Sequence, residues 1–75
     1  MNGLEIANRR IKEKEKLTEM IYNLLLIEIA EFIAIAKQEG CEPNIYEKQR
    51  LLIKTHILAE ETAEKVLYKQ RIGLI

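Results

Sequence analysis

The sequence has little of what usually braces a small protein or equips an enzyme. Its one cysteine, Cys41, excludes an intrachain disulfide, and its one histidine, His56, has no second Cys or His ligand beside it. A structural zinc site is therefore not expected. Trp and Asp are absent, Pro occurs once, and Gly occurs three times. No Gly-rich phosphate loop, Ser/His/Asp set or metal-ligand spacing is present, so the sequence predicts a non-enzymatic protein without a cofactor or metal. Neither sign of charge is in excess, with 12 basic and 12 acidic side chains. A general nucleic-acid binder would carry a basic surplus. No apolar leader runs to a small-residue cleavage site. The longest apolar run, Met20–Ala36, is short for a membrane span and contains Asn23, Glu28 and Glu31. Each central carboxylate costs roughly 2.5–3.5 kcal/mol on insertion. The expectation is a cytoplasmic protein with no membrane contact, and a lone cysteine suits a reducing location.

What remains is a chain of helix formers. Of its 75 residues, 48% are hydrophobic and 32% charged, which is a folded composition for one domain. Leu, Ile, Ala, Glu and Lys dominate. The one strong break after residue 3 is Gly40-Cys41-Glu42-Pro43-Asn44. The predicted fold is all-α: a two-helix antiparallel hairpin forming a single domain over 1–75. Helix 1 is expected at about 4–39, the turn at 40–43 and helix 2 at about 44–71, with 1–12 as an overhang. Lys37 suits the negative end of helix 1, and Gly40 suits the left-handed residue after it. Helix 2 has two readings. Either Pro43 is its first residue, or Asn44 caps it and Glu47 closes a capping box. Gly73 is the natural stop. Folding back about Cys41–Glu42 sets residue 56 opposite 27–28 and residue 72 opposite 11–12.

Apolar residues recur at three and four, not at two, so strands are not expected. In helix 1, Tyr22, Leu26, Ile29, Ile33 and Ala36 form one seam, widened by Leu25 and Phe32. Leu17, Ile21, Leu24, Glu28, Glu31 and Ile35 form a second. One neighbouring helix cannot cover both. In helix 2, Ile45, Gln49, Leu52, His56, Ala59, Ala63, Val66 and Gln70 keep heptad spacing, and Ala59 and Ala63 permit close approach. Ile57, Leu58, Tyr68 and Ile72 lie off that seam.

A two-helix domain of this size buries too little to be comfortably stable. Covering five further large side chains at ~1.5–3 kcal/mol each would match the whole stability of a small domain. The sequence thus predicts a homodimer, with a tetramer next, built as a four-helix bundle. Its interface is expected at Leu17, Ile21, Leu24, Ile35, Ile57, Leu58, Tyr68 and Ile72.

The charge is unevenly spread. Residues 1–16 hold five basic and three acidic side chains, 17–42 one and five, and 43–75 six and four. An acidic middle between weakly basic flanks suits complementarity within or between subunits. Arg9, Arg10, Lys12, Lys65, Lys69 and Arg71 are the candidate polyanion contacts, at one end of the hairpin. Glu28 and His56 are expected as a buried polar pair across the helices that fixes register. Glu28-x-x-Glu31 with Glu60, Glu61 and Glu64 resembles the carboxylate motifs of the all-α MazG-like nucleotide pyrophosphohydrolases, whose facing helices present acids to magnesium. That family's Asp is missing here, and the expected register sets Glu61 and Glu64 two to three turns from Glu28. Cys41 sits in the turn between Glu39 and Glu42, with only Lys37 to favour its thiolate.

The functional expectation is a small protein-interaction, regulatory or assembly-adaptor protein that binds itself and another protein as a homo-oligomeric bundle. The alternative is a small nucleic-acid-associated regulator that uses the basic end. A carboxylate-metal enzyme comes third.

Overall fold

The computed structural model describes residues 2–73, which form two α-helices packed against each other. The first, α1, spans Gly3–Gln38, and the second, α2, spans Ile45–Arg71. Local chemistry sets each end. Asn2 caps α1 by accepting the Glu5 amide at 2.9 Å. At its other end the Gly40 amide donates to Lys37 and the Cys41 amide to Ala36, the paired bonds of a Schellman stop. This stop needs a left-handed residue, and Gly40 supplies it at φ 75°. Asn44 then caps α2. It accepts the Glu47 amide at 2.9 Å, while the Glu47 carboxylate accepts the Asn44 amide at 3.4 Å. The capping-box reading therefore describes how α2 begins, and Pro43 lies outside the helix. A cap of this kind is worth about 1 kcal/mol. Helix α1 runs unbroken through Lys16–Thr18.

Little is buried between the helices. The buried residues are Thr18, Ala36, Thr55, Ala59 and Ala63, and no large side chain is fully enclosed among the described residues. The first predicted seam of α1 does turn inward, since Tyr22, Leu26, Ile29 and Ile33 are half-buried. The seam of α2 differs. Ala59 and Ala63 are buried and Val66 half-buried, but Ile45, Gln49, Leu52, His56 and Gln70 are exposed. Lys48, Leu51, Thr55 and Thr62 take the inward positions instead. Threonine can do this because its hydroxyl donates back into its own helix, Thr55 to the Leu51 carbonyl at 2.7 Å and Thr62 to Leu58 at 2.8 Å.

The register also departs from expectation. Tyr22 lies level with His56 and Lys14 level with Glu64. Relative to the expected pairing of 56 with 27–28, α2 is displaced by roughly five residues, about one and a half turns. The cause is the connection. Cys41–Asn44 is not helical, and Asn44 is extended at φ −73°, ψ 174°. Extended residues advance ~3.3 Å each, against 1.5 Å in a helix, so this link carries the start of α2 back along α1. Half-buried Pro43 fits that path. The far end of α2 consequently reaches further down α1 than expected. Leu67 and Arg71 line one depression with Ala7, Arg10 and Ile11, so the overhang is shorter than residues 1–12.

The result is a slab one helix thick, measuring 56 × 24 × 13 Å. Its radius of gyration is 16.5 Å, where a compact chain of this length would have about 11 Å. Its accessible surface is 6243 Å², against about 4,800 Å² for a compact monomer of this mass. No helix among the described residues is long and apolar enough to cross a membrane.

Candidate functional site

The slab has two broad faces, and their lining residues tell them apart. Glu15, Glu19, Tyr22, His56 and Glu60 line a depression on one face. Leu25, Glu28, Ile29, Phe32, Leu51 and Leu58 line a groove on the other. Glu19 and Glu28 are nine residues apart, and at about 100° per residue they point to opposite sides of α1.

The Tyr22 face carries ionisable side chains around its depression. The Tyr22 and His56 rings meet edge to face, with centroids 5.3 Å apart. His56 Nδ1 lies 3.0 Å from Glu60 Oε1, one turn along α2. Lys14 Nζ donates to Glu64 Oε1 at 2.6 Å and joins the helices at this level. The hydrogen bond to Glu64 raises the Lys14 ammonium above its ordinary value, and burial partly opposes this. The same bond holds the Glu64 carboxyl below the usual carboxylate range. At the turn, Lys48 Nζ donates to Glu42 Oε1 at 2.8 Å and lowers that carboxyl likewise. Thr18 Oγ1 is buried without a hydrogen-bond partner where the helices meet.

The expected buried pair of Glu28 and His56 does not form. Both residues are exposed, and they lie on opposite faces. The register shift moves His56 to Tyr22, and the inward turn of Thr55 places the imidazole on the Tyr22 face. Glu28 sits beside Phe32 and Leu58. The acidic groups remain dispersed: no group of three or more His, Cys, Asp or Glu residues that could hold a metal ion exists among the described residues. Cys41 is exposed, and its thiol contacts the Glu39 carbonyl at 3.7 Å.

The six candidate polyanion contacts are only partly brought together. Arg10 and Arg71 share a depression, which Glu64 also lines. Arg9 and Lys12 line a separate one with Glu5 and Glu13. Lys69 and Arg71 are two residues apart, about 200° around the helix, so they do not reinforce each other.

The Phe32 face is apolar at its centre. Of the expected interface residues, Leu24, Ile35 and Leu58 are exposed on this side, with Leu17 and Ile21 half-buried beside them. Ile57 and Tyr68 instead lie towards the outer edge of α2, and Ile72 is the cap residue just past its end. Sequence reasoning assigned Phe32 to the closed seam, but it is 60% exposed. Sixteen large apolar side chains are exposed among the described residues. Phe32 shares the inward-leaning spacing of its neighbours, so only the path of α2 distinguishes a ring that is covered from one left at the groove. In comparisons with known proteins, no family model matches the chain, and neither the curated proteins nor the solved structures contain a match.

Proposed function

We propose that this is a non-enzymatic interaction protein that works as a homo-oligomeric helical bundle, most simply a four-helix dimer of hairpins. One observation carries the reading: among its described residues the hairpin encloses no large side chain and leaves sixteen exposed. Its surface exceeds that of a compact monomer of its mass by about 1,400 Å². A standard interface takes only about 800 Å² from each partner. Self-association is the simplest way to cover the excess, and the assembled bundle then displays its polar faces as a rigid surface for a regulatory or adaptor role.

Light scattering across a dilution series tests this directly. A dimer or tetramer that persists to micromolar concentration is the expected result. A folded monomer at that concentration would refute it. A nucleic-acid role has one favourable feature, the approach of Arg10 to Arg71. Glu64 in the same depression, and Glu5 and Glu13 beside Arg9 and Lys12, weaken it.

A further inference from the structure

The two faces of the slab are not equivalent, and the difference selects the one that pairs. The Tyr22 face presents Glu15, Glu19, His56 and Glu60 around its depression, with Lys14 there already engaged by Glu64. Stacking that face on a copy of itself would desolvate like charges, which costs several kcal/mol when they stay unpaired. The other face, nearer the turn, offers Leu25, Ile29, Phe32, Leu51 and Leu58, with Glu28 as the one charged residue lining its groove. Phe32 is the only phenylalanine in the chain, and it stands more than half exposed at the groove's margin.

We infer that the Phe32 face is the surface on which a second copy of this chain docks, with Phe32 of each copy anchored in the Leu51–Leu58 groove of the other. This rests on the bundle reading above and specifies its interface. Three features support a second copy as the occupant. A slab face of 56 × 24 Å provides more than the roughly 800 Å² per partner that a stable dimer requires. An isologous pairing gives every anchor a groove, because knob and hole lie on the same surface and the two-fold supplies both contacts. The flanking charges are also complementary. Glu28 lines the groove on α1, and Lys54 lies between Leu51 and Leu58 on α2, so α1 laid over the partner's α2 brings these opposite signs within about one turn of each other. Side chains on helices lean towards the N-terminus. Phe32 on α1 and Leu51 on an antiparallel α2 therefore lean towards a common level.

The lack of tryptophan supplies a clean probe. In the full-length Phe32→Trp variant, the indole is the sole tryptophan, and it reports burial at the interface by its emission wavelength. The expected result is blue-shifted emission at high concentration that moves red on dilution, in step with the mass measured by light scattering. Phe32→Ala should raise the dimer dissociation constant roughly a hundredfold or more, because the anchor is lost twice per dimer. Tyr68→Ala, on the outer edge of α2, should leave it within about threefold, as most contacts outside an interface centre do. Helical circular dichroism of Phe32→Ala at a concentration that restores the dimer separates weakened association from failure to fold. If Phe32→Ala associates as tightly as the parent, or the Phe32→Trp emission stays that of a water-exposed indole in a dimer, the inference is overturned while the bundle reading stands. A parent chain that is monomeric throughout overturns both.

Discussion

Ala59→Leu is the sharpest probe of how the two helices meet. Ala59 and Ala63 have 0% accessible surface, and among the described residues they alone are enclosed so completely. They sit on α2 between Thr55 and Val66, where α1 presents Thr18 and Tyr22. Small side chains at this level let the axes approach towards the lower end of the usual 8–10 Å spacing. A leucine adds three heavy atoms where no void receives them. Either the helices separate along the seam or the side chain leaves its rotamer well. Overpacking of this kind costs about 1–3 kcal/mol. The whole stability of a chain this short is about 4–11 kcal/mol. At about 4–8 °C per kcal/mol for this size, a 2 kcal/mol loss lowers the Tm by about 8–16 °C. Thermal circular dichroism at one fixed protein concentration measures it, because any association would contribute to the midpoint. Ala34→Leu is the matched control. Ala34 is exposed on the same kind of helix, and the change there should stay within about 0.5 kcal/mol. An Ala59→Leu midpoint equal to or above that of the parent would refute close packing at this layer.

Two further perturbations follow from single polar groups. Thr18→Val removes the buried hydroxyl that has no partner, and since Val and Thr have similar helix propensity it should raise stability by about 1 kcal/mol. A fall in Tm, measured under the same conditions, would mean that the hydroxyl is satisfied after all. The Lys14–Glu64 bridge predicts opposite responses at the two ends of the pH scale. The Glu64 carboxyl is lowered in the folded chain, so its contribution is present above the ordinary carboxylate range and is lost as pH falls through the lowered value. The Lys14 ammonium is raised, so its contribution is present below its ordinary value and is lost as pH rises through the raised one. Both groups are solvent-exposed, so the effect is small and weakens with salt. Lys14→Met should flatten the stability profile at both extremes, and an unchanged profile in that variant would remove the bridge as a contributor.

The parts of this fold written in short-range chemistry could be read from the sequence. Gly40 and the Asn44/Glu47 pair each act within one turn of the chain, so residue identity alone decides them. The inward seam of α1 was also legible, because its apolar spacing has no rival of equal size on that side. The register was not. It depends on the distance covered by Cys41–Asn44, and a link of four residues can be read as a tight reversal or as an extended run. The seam of α2 failed for a second reason. Heptad spacing set His56 in the seam and did not include Thr55, while the self-bonding hydroxyl makes threonine the less costly group to bury. Those two errors together account for the loss of the Glu28–His56 contact. They also explain why Phe32 was counted with the closed seam.

A hairpin that encloses no large side chain among its described residues also has a particular relation to its own turnover. If copies pair as proposed, then below the concentration at which they do so the chain spends more of its time open, and proteases that cut exposed backbone remove it in proportion to that open population. Above it, each new copy protects an existing one, by the mass action that makes subunit affinity part of folding stability. Abundance then responds to synthesis with a threshold. Under that proposal, a modest drop in production clears the protein quickly, and a modest rise lets it accumulate.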